Sequence, residues 1–295
     1  MRVSTNQQYN TYSSRIHKAQ ADYFRAQQEV MTGKRADLFT TDPAGAAFVV
    51  RSKDLHSALT QYRTNLRSAK DYSGATETAL GNLHDIIKQA KVIGLQGANS
   101  STDQAARDSL AKQITELQTR FLQEVNTTGG AGQYIFAGQD TGNKPFALNT
   151  TLNGLDYSGD ANPILVEVGP GETIQVNQNL SAQFQQAYTH LENLRQNLAT
   201  GNVTGISDIN LAELDRSMEI VRQQRGEAGA KMTLVTDMEN HGQRRIDELT
   251  QRISDVEEVD LSEAITRMQL AETAYQASLQ VTSQAQRLSL MDYLR

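Results

Sequence analysis

The sequence predicts an elongated, mainly α-helical protein with a small inserted β domain, in which the N- and C-terminal helices pair as a coiled coil. Three observations support this fold class. Apolar residues follow a three-and-four spacing at both ends of the chain, the same spacing continues through a long later segment, and proline and glycine cluster in one internal stretch.

The C-terminal segment needs a partner helix. Its seam comprises Leu261, Ile265, Met268, Tyr275, Leu279 and Thr282, and Leu288, Leu290 and Leu294 follow towards the end. A helix predicted from Thr5 to Met31 repeats the spacing at Tyr9, Tyr12, Ile16, Ala19, Tyr23, Ala26 and Val30. We therefore expect the two ends to pair, with Ile265, Tyr275 and Leu279 facing Tyr12, Ile16 and Tyr23. The spacing leaves the register of the pair open.

The first half of the chain reads as helix that is interrupted by a loop and ends at a glycine-rich stretch. Gly33 is placed to end the first helix, and residues 34–43 read as a loop. A helical stretch from 44 to about 125 restarts near Asp103, whose side chain is suited to an N-cap. Its second half carries a buried stripe at Leu110, Ile114, Leu117, Phe121 and Val125.

Residues 131–179 read as a small β domain inserted between helices. Residues 134–136 are predicted to form a short strand, and Ile164, Val166 and Val168 alternate as a half-buried strand does. Residues 169–172 supply a turn, and Ile174 and Val176 mark the return strand.

The remaining chain is predicted to be helical. A helix begins near Ser181, and after a loop at 201–205 we expect Asp208 or Asn210 to cap the next one. That helix keeps the three-and-four spacing from 211 to 256, nearly 50 residues and about 70 Å, with Arg225, Glu239 and Gly242 as the exceptions. One residue is then skipped before the seam restarts at position 261, and Asp260 with Glu263 fits a capping box, so we expect a break at 256–261.

These patterns divide the chain into three parts. Residues 1–35 with 257–295 form a terminal coiled-coil domain, residues 36–130 with 180–256 form a helical bundle, and residues 131–179 form the β domain. The N-terminal seam has few large residues for the length of helix that it must order, so we expect the terminal helices to be loose in a monomer and to become ordered against neighbouring copies.

Composition limits the partners. The chain of 295 residues has 34 acidic and 28 basic residues and a net charge of −6, which argues against binding to nucleic acid or to an anionic membrane. There is no cysteine. No apolar stretch approaches the roughly 18 residues of a membrane span, and the first residues lack the hydrophobic run of a signal peptide.

The sequence offers no set of residues for catalysis. Its 5 histidines are dispersed without metal-binding spacing, and the glycines at 129–132 lack the Lys-Ser/Thr of a phosphate loop. We therefore predict that the protein is not an enzyme and uses no cofactor or metal.

Four stretches of the sequence carry motifs that are specific enough to compare with known families. The first is Thr-Gly-Lys-Arg at 32–35 followed by Thr-Asp-Pro-Ala-Gly-Ala at 41–46. The others are Gly-Gln-Tyr-Ile-Phe-Ala-Gly at 132–138 with Thr141 and Pro145-Phe146, Tyr-Ser-Gly-Asp at 157–160, and the C-terminal runs 259–265, 274–279 and 288–294. Together these stretches resemble the flagellin family, and most specifically its members at the hook–filament junction. The resemblance spans the whole chain and is weakest in 147–206.

The resemblance implies a structural role outside the cell, at the junction of hook and filament in the bacterial flagellum. It implies that the terminal seams form the innermost layer of a hollow helical tube and that the β domain faces outward. The implied partners are further copies of the chain, the other junction protein, flagellin and an export chaperone that covers the C-terminal helix. The implied export is through the flagellar type III apparatus without a cleaved signal.

The alternatives are a short flagellin that forms the filament itself, a cytoplasmic coiled-coil scaffold and a polysaccharide-binding surface protein. The last two explain the bundle and the β insertion but leave the terminal motifs unexplained.

Overall fold

A computed structural model describes residues 5–130, 132–149, 151 and 153–293, and it describes side chains for residue 7 and, within those ranges, for 10–284. The elements in chain order are α1 (Thr5–Thr32), α2 (Leu38–Thr41), α3 (Pro43–Gly97), α4 (Gln104–Glu124), β1 (Phe146–Asn149), β2 (Gly154–Tyr157), β3 (Leu165–Gly169), β4 (Glu172–Gln175), α5 (Ser181–Thr200), α6 (Val203–Gly205), a π-helical turn (Ile206–Asn210), α7 (Leu211–Glu257) and α8 (Leu261–Tyr293). The predicted fold class, mainly α with a small β part and flagellin-like terminal helices, is confirmed.

The chain forms two compact units. Unit one contains residues 1–58 and 245–295, and unit two contains residues 59–244. The sequence placed its boundaries near 35 and 257 and assigned 131–179 to a third part, so the observed units divide the chain at other positions. The three-part division stays a prediction.

Most helix ends lie where capping residues predicted them. Gly33 has a φ of +68° and its amide donates to the Glu29 carbonyl at 2.8 Å, which closes α1. Asp103 caps α4 by accepting from the Ala106 amide at 2.7 Å. Asp260 caps α8 by accepting from the Ser262 amide at 2.7 Å, so the predicted break before position 261 is confirmed.

The predicted cap at Asp208 or Asn210 is wrong. Helical structure begins earlier, where the Asn202 side chain accepts from the Gly205 amide at 3.0 Å. Asn210 is instead buried and accepts from the Asn197 side chain at 2.7 Å. Asn202 takes the cap because its oxygen reaches the first free amides directly after the left-handed Gly201 has ended α5.

Helix α7 has 47 residues and confirms the long periodic segment. Among its seam positions, Leu214, Val221, Ala228, Val235 and Ile246 are buried. Two of the polar exceptions form ion pairs with α3 inside unit two: Arg225 Nε lies 2.6 Å from Glu77, and Glu239 receives Arg67 at 3.0 Å and Lys70 at 3.4 Å. These two charged seam positions therefore bind α7 to α3 through ion pairs, and the helix continues through them.

The core of unit two includes side chains from the predicted β domain. Phe184 on α5 makes edge contacts with Phe121 at 6.3 Å, Phe136 at 4.9 Å and Phe146 at 5.9 Å between ring centroids. Leu155, Val168 and Val176 belong to the same buried cluster. Residues 132–179 thus share the helical core and do not enclose a separate one.

The β structure of the described residues consists of two separate hairpins. The predicted pair is present as β3 and β4, joined through Gly171 with a φ of +74°. The predicted strand at 134–136 is wrong, because Tyr134 forms only an isolated bridge to Thr128 before the chain turns. The hairpin of β1 and β2, with 4 residues in each strand, was not predicted.

Two of the motifs that carry the family resemblance lie against each other. Gly138, with a φ of +73°, approaches Asp160 so closely that an added Cβ atom would overlap the Asp160 carbonyl oxygen. The Asp160 carboxylate accepts from the Gln139 amide at 2.8 Å and the Asn162 amide at 3.0 Å, and these hydrogen bonds lower its pKa. Tyr157 donates to the Asp160 carbonyl at 2.7 Å. The loop at 132–138 is therefore fastened to the end of β2.

We predict that Gly138→Ala destabilises unit two by about 2–4 kcal/mol, because the new methyl group meets backbone and the residue must hold a left-handed φ. Thermal and urea unfolding measure the change. Gly142→Ala is the matched control, since nothing lies within 4 Å of its added Cβ. Equal stability of the two variants would contradict the proposed close approach.

Candidate assembly interface

The terminal helices α1 and α8 pack together in antiparallel orientation inside unit one. The rings of Tyr23 and Tyr275 stack with centroids 6.3 Å apart and planes 5° from parallel. Further along the pair, Glu29 lies 3.4 Å from Arg267. These two contacts give the register that the sequence left open.

The α1 side of this pair follows the predicted seam. Tyr12, Ile16, Tyr23 and Val30 are half-buried, and Ala26 is buried. The side chain of Tyr9 lies outside the described residues. The three-and-four spacing therefore identified the α8-facing side of α1.

The α8 side uses a different set of residues from the predicted seam. Its less exposed positions are Ala264, Met268, Ala271, Tyr275, Ser278 and Thr282, which again follow the three-and-four spacing, together with Glu272 beside Ala271. Met268, Tyr275 and Thr282 were predicted. The small residues were missed because the pattern was read from large apolar side chains, although alanine also occupies seams where two helices approach closely.

The prediction that Ile265 and Leu279 are buried against α1 is not met. Their exposed fractions are 41% and 43%, and Leu261 is 52% exposed. Alanine and serine take the facing positions, so the large side chains lie on a flank of α8. The side chains of Leu288 and Leu290, and all of Leu294, lie outside the described residues.

Helix α8 carries large apolar side chains around most of its circumference. Besides its α1-facing seam, it exposes Ile265 and Leu279 on one flank. On the opposite flank it exposes Leu270 and Val281, whose exposed fractions are 67% and 56%. A helix that is apolar on several sides is normally buried on several sides. One partner helix covers only one of them.

A backbone clasp joins the segment after α1 to the segment before α8. The Arg35 amide donates to the Glu257 carbonyl at 2.8 Å, and the Val259 amide donates to the Gly33 carbonyl at 3.0 Å. Buried Glu29 accepts from the Ala36 amide at 3.3 Å. The chain can turn there because Gly33 adopts a left-handed conformation.

Glu257 adds side-chain contacts to the clasp. Its carboxylate receives Lys34 at 3.2 Å and Lys53 at 2.7 Å, so it ties the loop after α1 and the start of α3 to the end of α7. Burial favours a higher pKa for this carboxyl group, but the hydrogen bonds and charges of the two lysines outweigh it and lower the pKa.

A small apolar cluster supports the clasp. Leu38, Ala46 and Val49 are buried, and Ile253 and Val256 pack against them.

The segment at 41–46 that resembles the family motif forms the start of α3. Asp42 accepts from the Gly45 amide at 2.8 Å. An added Cβ atom on Gly45 would overlap the Asp42 carboxylate, so a larger residue would displace this cap.

Two kinds of feature are absent from the residues that the structure describes. No helix in this part of the chain is long and apolar enough to cross a membrane. Among the same residues, no cluster of His, Asp and Glu side chains is arranged to hold a metal ion.

The chain matches two family descriptions, which together cover more than half of it. Residues 3–141 match the bacterial flagellin N-terminal helical region, and residues 211–294 match the bacterial flagellin C-terminal helical region. The chain belongs to the flagellin family.

Within this family, the chain is similar over nearly its whole length to flagellar hook-associated protein 3 of Escherichia coli, with 25% identity covering 98% of both chains. Its similarity to polar flagellin E of Vibrio parahaemolyticus, at 29% identity, covers 53% of this chain and 42% of that flagellin. A solved structure of flagellar hook-associated protein 3 from Legionella pneumophila has a similar fold, with a TM-score of 0.62, 13% identity, and coverage of 70% of this chain and 98% of that one.

We predict that Glu257→Gln weakens the clasp by about 1 kcal/mol, because a neutral amide loses both charged contacts. Hydrogen exchange at the Arg35 and Val259 amides measures the opening, and both should exchange faster. Glu258→Gln is the control, since the Glu258 side chain is exposed and accepts only from Ser254 at 2.7 Å among the described residues.

The clasp should also respond to acid. Because the folded-state pKa of Glu257 is lowered, its stabilisation is present above the pKa of the unfolded chain and is lost as the pH falls through the folded value. After correction for the slower intrinsic exchange in acid, the protection factors of the two amides should therefore fall below about pH 4.5 more in the native chain than in Glu257→Gln. The same acid response in both proteins would contradict the assignment.

Proposed function

We propose that the chain is a structural protein of the bacterial flagellum that connects the hook to the filament through its terminal helices. The observation that carries this proposal is the similarity to flagellar hook-associated protein 3 over nearly the full length of both chains. The proposal includes that the protein is not an enzyme.

The exposed flanks of the terminal pair support the proposal that the protein works by assembling with neighbouring subunits. Leu261, Ile265, Leu270 and Leu279 are all more than 40% exposed on α8, and Met31 is 79% exposed on α1. Apolar side chains concentrated on one helical pair are stabilised by meeting similar surfaces on neighbouring molecules, and burial of each contributes about 1.5–3 kcal/mol. The predicted interface residues that remain exposed are thus available for contacts between subunits.

A short flagellin that builds the filament itself is the nearest alternative. The flagellin similarity covers only about half of this chain and less than half of the flagellin, whereas the similarity to hook-associated protein 3 covers both chains. The junction role is therefore favoured. Copy number separates the two roles, because a filament protein is abundant and a junction protein is scarce.

The partners follow from this role. Further copies of the chain form one layer, the other junction protein contacts the hook side, and flagellin contacts the filament side. An export chaperone covers α8 before assembly, because exposed apolar flanks promote aggregation. The protein reaches the hook–filament junction outside the cell through the flagellar export route and without a cleaved signal.

The break between α7 and α8 has a place in this mechanism. Residues 258–260 interrupt two long helices and are held mainly by the clasp. Such a joint lets the terminal pair adjust its direction while each helix stays intact. A protein that joins two lattices of different stiffness needs this kind of adjustment.

We predict that Leu279→Asp abolishes filament attachment while the protein stays folded, because Leu279 is 43% exposed in the single chain and a charge in a subunit contact is costly. Cells carrying the variant should bear hooks, lack filaments and release flagellin into the medium. Circular dichroism of the purified variant checks the fold.

Gln280→Asp is the control for this variant, since it places the same charge on the next exposed residue of α8. It should leave filaments attached. Normal filaments on Leu279→Asp cells would contradict the proposed interface.

A further inference from the structure

Small residues leave a gap between α3 and α7 inside unit two. The ion pairs of Arg225 and of Glu239 with α3 hold the two helices together on either side of this gap. Between them α3 carries Ser73 and Gly74, and an added Cβ atom on Gly74 would lie 4.0 Å from the Met232 sulfur of α7. Short side chains on one helix therefore leave space in front of the other.

The hairpin of β3 and β4 covers the gap. The Asn65 side chain of α3 donates to the Glu167 carbonyl of β3 at 2.8 Å. From α7, Lys231 Nζ donates to the carbonyl of Asn177, just after β4, at 3.5 Å. The hairpin is thus fixed to both helices, and a cavity of about 280 Å³ lies between the three elements.

The cavity has apolar walls and two polar groups that can donate hydrogen bonds. The apolar side chains are Ile174, Val176, Leu234 and Val235. The donors are the Ser73 hydroxyl group and the Lys231 ammonium group. Apolar walls with a few polar groups are the usual lining of a small-molecule site.

The Ser73 hydroxyl group is buried without a hydrogen bond. Ser73 is 2% exposed, and its Oγ atom has no hydrogen-bond partner among the residues that the structure describes. Buried polar groups in folded proteins are normally hydrogen-bonded. Because Ser73 lines the cavity, an acceptor placed there would satisfy this donor.

The Lys231 ammonium group is half-buried and also lacks a strong acceptor. Its one hydrogen bond within the described ranges is the long contact with Asn177. Burial lowers the pKa of Lys231, although the charge of Glu227 acts in the opposite direction. The Glu227 carboxylate accepts from Gln223 at 3.4 Å and from Gln224 at 3.3 Å. An anion in the cavity would stabilise the charged lysine.

We propose that this cavity binds a small aliphatic monocarboxylate, whose carboxylate accepts from Lys231 and Ser73 and whose hydrocarbon part packs against the apolar walls. One ammonium group and one hydroxyl group suffice for the two oxygens of a carboxylate, whereas a phosphate would bring further oxygens into apolar surroundings. At roughly 30 Å³ for each non-hydrogen atom, the volume suits a ligand of about eight to ten such atoms. The proposal involves unit two alone and does not depend on the proposed function.

Hexanoate is the probe, because it combines a carboxylate with an aliphatic chain and has about eight non-hydrogen atoms. Saturation-transfer NMR of the purified full chain measures its binding across a concentration series. We expect saturable binding with a dissociation constant on the order of 1 mM. Hexanol, which lacks the charge, and acetate, which lacks the chain, should each bind at least about tenfold more weakly.

Two substitutions test the two donors. Lys231→Met keeps an unbranched side chain without the charge and should weaken hexanoate binding at least about tenfold. Ser73→Ala should weaken it roughly two- to fivefold and should not lower the unfolding temperature, because the hydroxyl group has no partner to lose. Lys112→Met is the matched control, since Lys112 is exposed on α4 and does not line the cavity.

Three results would overturn the proposal. They are absence of saturable hexanoate binding to the native chain, equal binding of hexanol, and equal binding of hexanoate to Lys231→Met and Lys112→Met. Circular dichroism checks that each variant is folded, and Ser73→Ala tests the same site if Lys231→Met does not fold.

Discussion

The pairing of α1 with α8 buries one side of each terminal helix and leaves their flanks exposed. The contact is narrow because alanines and a serine occupy much of the α8 seam, and the stacked rings of Tyr23 and Tyr275 are a large part of it. A seam of small residues brings two helices close together but removes little apolar surface from water. Because so little apolar surface is buried, the pair has a defined register and still requires further partners. The rest of the terminal structure depends on this small burial.

The clasp connects this pair to the remainder of unit one through few contacts. Two backbone hydrogen bonds and the lysine contacts of Glu257 hold the segments on either side of the α7–α8 break. The cluster around Leu38 fixes the start of α3 nearby, and the Asp42 cap fixes its first turn. Unit two contrasts with this arrangement, because its helices and hairpins share one continuous core around Phe184. The core of unit two thus provides most of the stability, and the terminal pair of unit one provides the surface for assembly.

The sequence predicted those features that depend on local periodicity and on capping chemistry. The long α7, the caps at Asp103 and Asp260, and the α8-facing side of α1 were all readable, because helix periodicity and side-chain oxygen acceptors act within a few residues. Only half of the α8 seam was predicted from the sequence, because large apolar residues mark a seam clearly and alanines do not. The strand proposed at 134–136 was wrong because its backbone bonds to two separate segments and not to one neighbouring strand: the Tyr134 amide donates to the Thr141 carbonyl and the Ile135 amide donates to the Thr127 carbonyl. The shared core of residues 132–179 depends on packing between distant segments, which no local pattern records.

Hydrogen exchange of the purified chain over a wide range of protein concentration tests the central claim most directly. The account predicts that amides in the middle of α1 and α8 exchange quickly when the protein is dilute and become protected as copies associate, while the helices of unit two stay protected throughout. Equal, concentration-independent protection of α1, α8 and the unit two helices would show that the terminal pair is complete by itself, and would contradict the account.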